Sequence, residues 1–222
     1  MADSPQPTVT APWPALRRGL VAILRGLTPD EAPDIAAALV EAGFEAIEVP
    51  LNSPDPFGSI ERIATRFGDR ELIGAGTVLT PEAVDRLADA GGRLMVSPNI
   101  DAAVMARAAE RDLVTMPGVF TATEALAAVA SGASALKFFP ASALGPSGIK
   151  AIAAVLPPET VIGAVGGVSD KHFSAYATVG VRTFGLGSSL YAPGAKPDDV
   201  HGRAVEAVAA YDAIFGGDDA GR

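Results

Sequence analysis

The chain contains no cysteine and only two histidines, His172 and His201. The first absence excludes disulfides, thiolate nucleophiles and sulfur-ligated zinc, and the second leaves too few imidazoles for a histidine-built metal centre. Basic residues are also scarce: 17 lysines and arginines face 26 aspartates and glutamates, a net charge of −9, so no basic footprint exists for nucleic acid or an anionic membrane. No stretch of about 18 apolar residues is free of charges or turn signals, so a membrane-spanning helix is not expected. The opening segment, MADSPQPTVTAPWPALRRG, lacks the positive start and continuous apolar centre of a signal peptide, and its prolines oppose a helix. It reads as a flexible lead-in over 1–15, with Trp13 as its first anchored residue, ahead of one domain over 16–222, and a cytoplasmic location is expected. With sulfur chemistry, sulfur- or histidine-built metal sites and an extensive basic surface set aside, the remaining chemistry rests on carboxylate, lysine, arginine, hydroxyl and backbone.

Apolar residues supply 49% of the chain against 19% charged, enough for a folded core. Short apolar runs recur at 20–24, 46–51, 72–77, 94–97, 113–117, 135–139, 161–165 and 183–186. Their starts lie about 20 to 26 residues apart, the length of one buried strand plus a crossover helix. Helix signals fall between them. Thr28-Pro29 with Glu31, Thr80-Pro81, Asp101, Thr121 and Asp198 mark starts, and Gly43, Gly91, Gly132 and Gly180 mark ends. Eight such units with strands buried on both faces predict a single (β/α)8 TIM barrel. The alternative, an open doubly wound sheet, calls for G-x-G-x-x-G after the first strand, where the chain instead reads Leu24-Arg25-Gly26-Leu27-Thr28.

In a barrel the site lies at the C-terminal ends of the strands. The polar residues there are Arg25, Glu48 with Asn52, Thr77, Ser97-Pro98-Asn99, Pro117-Gly118, Lys137, Gly166-Gly167 and Gly187-Ser188-Ser189. Of four lysines, only Lys137 interrupts an apolar run. Loss of hydration there lowers an amine's pKa, as does a neighbouring cation such as Arg25, and a neutral amine is what a Schiff-base nucleophile requires. Glu48 likewise interrupts an apolar run, where a carboxylate with a raised pKa can shuttle protons. The competing reading pairs Lys137 and Glu48 as a buried ion pair, or sends the lysine out through the rim. Glycine-rich turns after the last two strands, at Gly166-Gly167 and Gly187-Ser188, let backbone N–H groups approach an anion where such barrels hold phosphate; a bland turn is the alternative for each alone. Thr77 offers a hydroxyl to a carboxylate or carbonyl, or caps a loop. His172 and His201 read as surface or helix residues away from the rim, and Met95, Met105 and Met116 as packing residues.

Taken in order, Ile23-Leu24-Arg25-Gly26, Glu48-Val49-Pro50-Leu51-Asn52-Ser53-Pro54, Gly74-Ala75-Gly76-Thr77-Val78, Ser97-Pro98-Asn99, Lys137-Phe138-Phe139-Pro140, Ala164-Val165-Gly166-Gly167-Val168 and Gly187-Ser188 resemble the 2-dehydro-3-deoxy-phosphogluconate/phosphogalactonate aldolase family. The resemblance implies a class I pyruvate aldolase on a (β/α)8 barrel, a homotrimer without metal or cofactor, acting on a phosphorylated sugar acid. It implies Lys137 as the Schiff-base lysine and Glu48 as general acid/base. Thr77 is then the contact to the pyruvyl carboxylate, Pro98, Pro117 and Phe139 shape its pocket, and Arg25 binds an anion. Gly166, Gly167, Gly187 and Ser188 form the phosphate nest. The gluconate branch has arginine four residues after the glutamate and threonine before the Gly-Gly pair; Asn52 and Val165 at these places resemble the galactonate branch. The two substrates differ in configuration at C4, and valine cannot make the hydrogen bond a threonine hydroxyl can. The readings set against this one are a gluconate-specific aldolase, a metal-dependent aldolase, a phosphosugar isomerase or epimerase on the same barrel, and a non-catalytic phosphosugar-binding protein.

Overall fold

A computed structural model describes residues 10–216. Its strands are β1 (Leu20–Ile23), β2 (Ala46–Pro50), β3 (Leu72–Gly76), β4 (Leu94–Val96), β5 (Val114–Met116), β6 (Gly118–Val119), β7 (Leu136–Phe138), β8 (Ile162–Val165) and β9 (Thr183–Leu186). Helices follow in alternation: α1 (Ala32–Ala42), α2 (Pro56–Phe67), α3 (Pro81–Asp89), α4 (Ala102–Glu110), α5 (Ala122–Ala130), α6 (Ala141–Ala153), α7 (Phe173–Ala177) and α8 (Pro197–Phe215). All strand pairs are parallel, in the order β5-β4-β3-β2-β1-β9-β8-β7-β6.

The (β/α)8 expectation holds, with one refinement. The fifth predicted strand is split into β5 and β6 by Pro117, which has no N–H to give to a ladder. Its carbonyl still accepts from Lys137 N–H at 2.9 Å, and Thr115 carbonyl accepts from Ala135 N–H at 3.0 Å, so the split strand closes the sheet onto β7.

Two apolar layers hold the barrel. Inward-facing side chains including Val21, Ala46, Leu72, Leu94, Val114 and Met116 fill its lower half. A larger layer, including Leu20, Ile47, Phe138, Phe173 and Phe184, lies between strands and helices. Met95, Met105 and Met116 are buried, as expected of packing residues.

The helix signals were mostly sound. Thr80 accepts from Ala83 N–H, Asp101 from Ala103 and Val104, and Thr121 forms a capping box with Glu124. Gly43, Gly91, Gly132 and Gly180 all take positive φ just past their helices. Two starts differ. Glu31 does reach back to Thr28 N–H at 2.9 Å, but Pro33 has no N–H to bond the Pro29 carbonyl, and regular helix begins only at Ala32. α8 begins at Pro197, where the proline suits the first position, so Asp198 sits in the first turn rather than capping it.

The lead-in also differs where it is described. Thr10 is buried, its hydroxyl bonded to the Gly132 carbonyl and to the hydroxyls of Thr115 and Ser134. Ala11 N–H donates to Leu113 at 3.1 Å and pairs beside Val114. Anchoring therefore begins before Trp13, which packs with Leu16 against the barrel interior. Residues 1–9 of the expected lead-in lie outside the described residues.

Candidate active site

A cavity of about 460 Å³ opens at the C-terminal ends of the strands. Lys137 lies at its base on β7, paired in register with Gly118 on β6 and Gly163 on β8. Glu48 reaches the same cavity from β2, between Ile23 on β1 and Gly74 on β3. Both long polar side chains thus have a glycine neighbour on the inward face, which leaves space for them to lie across the barrel.

Lys137 is 6% exposed and Glu48 2%. Burial pushes the Lys137 ammonium below its ordinary value, opposed by Glu48 and reinforced by Arg25. Burial pushes Glu48 up to about 7, against the pull of Lys137 and then Arg25. Among the described residues no ion pair joins the two, and Glu48 Oε2 is buried without a hydrogen-bond partner. The structural ion pair entertained from the sequence is therefore not formed. Lys137 Nζ instead sits 4.8 Å from the centre of the Phe139 ring.

Arg25 lines the cavity, and its Nη1 donates to Asn52 Oδ1 at 2.6 Å. The two loops are tied a second time by Gly26 N–H donating to Ser53 Oγ at 2.9 Å. Thr77 also faces the cavity, with φ of 57°, a left-handed conformation rare for a β-branched residue. Such strain costs about 1–3 kcal/mol and persists where surrounding structure imposes it, often at ligand sites. Pro98 lines the cavity as well, and the Phe139 ring, also in the lining, lies against Gly166. Pro117 is not among the residues lining the cavity: it sits beside Lys137 on the neighbouring strand, where its carbonyl accepts the lysine's backbone N–H.

At the opposite wall, Val165 leads into Gly166 and Gly167, with φ of 91° and 72°, and Gly187 and Ser188 face them from the loop after β9. A side chain at Gly167 would place Cβ 2.5 Å from Ser142 Oγ. Consecutive left-handed glycines expose backbone N–H groups in a concave turn, an arrangement suited to an anion. His172 was placed away from the rim by sequence; it is closer to it, because its Nδ1 accepts Ser169 N–H at 3.0 Å and Ser169 lines the cavity. His201 lies on α8.

Sequence reasoning missed Ile23 as part of this cavity. Ile23 Cδ1 and the Val165 methyl groups converge over Gly185, where a Cβ would fall 2.7 Å from Val165 Cγ2. It also missed the second task of Glu31, which accepts from Tyr191 hydroxyl at 3.1 Å and so links the loops after β1 and β9. A larger cavity of about 690 Å³, walled by Trp13, Arg17, Val161, Tyr211 and Phe215, opens at the N-terminal end of the barrel. The acid on its wall, Asp212, is held by Arg18 at 2.7 Å, and neither Lys137 nor Glu48 reaches it. The chemistry belongs to the smaller cavity.

Residues 16–202 match the family model described as KDPG and KHG aldolase. The chain is 63% identical over 206 residues to a probable 2-dehydro-3-deoxy-6-phosphogalactonate aldolase of Rhizobium meliloti, covering 93% of this chain and 97% of that one. It is 48% identical over 192 residues to the 2-dehydro-3-deoxy-6-phosphogalactonate aldolase of Escherichia coli, covering 86% and 94% respectively. Among solved structures, one described as native KDPGal superposes with a TM-score of 0.89 at 46% identity, covering 92% of this chain and 99% of that chain.

Proposed function

The chain belongs to the KDPG and KHG aldolase family, and from that premise we propose that it is a class I aldolase cleaving 2-dehydro-3-deoxy-6-phosphogalactonate to pyruvate and glyceraldehyde 3-phosphate. The observation that carries the mechanism is Lys137: a buried amine at the cavity base, driven toward its neutral form and not neutralised by an ion pair.

Neutral Lys137 Nζ attacks the C2 ketone, and loss of water from the carbinolamine gives an iminium. Glu48, with a pKa near 7, is poised both to donate a proton to the departing hydroxyl and to accept one. When it takes the C4 hydroxyl proton, the C3–C4 bond breaks and its electron pair enters the iminium as an enamine. Glyceraldehyde 3-phosphate leaves; protonation at C3 and hydrolysis release pyruvate and regenerate the amine. Thr77 is the contact for the pyruvyl carboxylate, in a pocket shaped by Pro98 and Phe139, and Arg25 supplies positive charge to the anionic substrate. The N–H groups around Gly166, Gly167, Gly187 and Ser188 receive the phosphate, which is how a chain of net charge −9 holds an anion locally.

Val165 sets the preference for the galactonate epimer, since its apolar wall with Ile23 gives no hydrogen bond to a C4 hydroxyl of the other configuration. The functional unit is a homotrimer, for which the exposed apolar side chains of Leu79, Phe120 and Leu126 offer surface to cover. The phosphorylated substrate, an anion that does not cross membranes, favours a cytoplasmic location; no helix among the described residues is long and apolar enough to span a membrane. Pyruvate release from the phosphogalactonate and phosphogluconate epimers under identical conditions tests the substrate reading. Higher kcat/KM for the galactonate epimer is expected, and a strong gluconate preference would overturn the role given to Val165.

A further inference from the structure

We propose that Gly76 is a positioning residue for Glu48, acting by leaving empty the volume that the carboxylate occupies. The inference rests on the proton-transfer role proposed for Glu48.

A buried carboxylate is ordinarily held by hydrogen bonds, yet Glu48 Oε2 has no partner among the described residues. Packing then takes a larger part in locating the group, and the carboxyl lies in the space a side chain on Gly76 would fill. A Cβ built there would lie 2.0 Å from Glu48 Oε2 and 2.4 Å from both Cδ and Oε1. All three of its nearest neighbours are thus atoms of one carboxyl group.

Register explains the approach. Glu48 pairs with Gly74, and Gly76 follows two residues later on the same face of β3, one step nearer the cavity. The two glycines have different tasks. A Cβ on Gly74 would meet the Leu94 carbonyl oxygen at 1.9 Å, main chain that cannot move without displacing β4. The three atoms nearest a Cβ on Gly76 all belong to the end of a flexible side chain. Gly76 is also absent from the positive-φ residues, so its strand conformation is open to alanine without backbone strain.

Gly76→Ala therefore forces the carboxylate away rather than breaking the strand. Moving Oε2 from 2.0 Å out to even the 3.0 Å lower limit for such contacts requires a shift of at least about 1 Å, and misplacement of that size can cost about 100-fold in rate.

The experiment compares wild type, Gly76→Ala, Glu48→Ala and the double variant by kcat, KM, thermal unfolding and borohydride trapping of pyruvate on Lys137. Gly76→Ala is expected to lower kcat about 10- to 100-fold with the trapped adduct retained. In the Glu48→Ala background the same substitution is expected to change kcat less than about twofold, because the group it displaces is gone. Folding lost in the Glu48 background but kept in the Glu48→Ala background would also support the steric relation. Normal kcat in Gly76→Ala, an equal loss in both backgrounds, or failure to fold in both would overturn it. If Glu48→Ala itself turned over normally, the proton-transfer reading would fall and this inference with it; a slow Glu48→Ala beside a normal Gly76→Ala would remove only the role of Gly76.

Discussion

Replacing Glu48 by glutamine is expected to slow the reaction and, above neutral pH, to stabilise the fold. Burial raises this carboxyl from 4.5 to about 7, so the folded chain retains a proton that the unfolded chain releases between those values. Below pH 4.5 both states are protonated and the group costs nothing on this account. As pH rises through 7 the folded chain must ionise a buried acid, a cost of about 3 kcal/mol at 1.36 kcal/mol per pKa unit. Glutamine keeps the volume and removes the charge, although its buried amide finds no better partner than the carboxylate. A net gain of about 1–3 kcal/mol at pH 8 follows, against about zero at pH 4; for this chain length it corresponds to about 2–12 °C in Tm. Urea unfolding followed by circular dichroism at pH 4, 6 and 8 measures it. A variant that loses stability equally at all three pH values, or that gains less at pH 8 than at pH 4, would refute the reasoning. Activity and stability trade against each other at this residue because the buried, unpartnered state suited to proton transfer is costly to the fold.

Val165→Thr should raise the phosphogluconate to phosphogalactonate ratio of kcat/KM by about tenfold, the worth of one substrate hydrogen bond, as read in the two-epimer assay. Gly167→Ala, which meets both a φ of 72° and Ser142 Oγ at 2.5 Å, should raise KM for the phosphorylated substrate while leaving the yield of trapped pyruvate on Lys137 unchanged. Incubation with EDTA should leave turnover unchanged, since the iminium serves as the electron sink; loss of activity restored by a divalent metal would contradict that.

The strands were legible because parallel strands buried on both faces read as unbroken apolar runs. The same background made Lys137 and Glu48 conspicuous, each being a charge within such a run. Local signals sufficed for Thr80, Asp101 and Thr121 because a cap binds within its own first turn. Contacts set by register or by distant chain were harder to read. Thr10 finds Thr115 and Ser134 more than a hundred residues away, so a polar, proline-rich segment read as loose is partly bound. Pro117 sits at the right strand end, but its place beside Lys137, outside the cavity lining, depends on how the split strand closes the barrel. The seat of Glu48 over Gly76 depends on the β2–β3 register, for which the alternation of Gly74 and Gly76 was the available hint.

The central claim is that Lys137 forms the covalent intermediate. Borohydride reduction in the presence of pyruvate, followed by peptide mass spectrometry, tests it most directly. A stable pyruvyl adduct on the peptide containing Lys137, absent together with activity in Lys137→Ala, is the result the account predicts. An adduct on Lys150, Lys171 or Lys196, or full activity in Lys137→Ala, would contradict it.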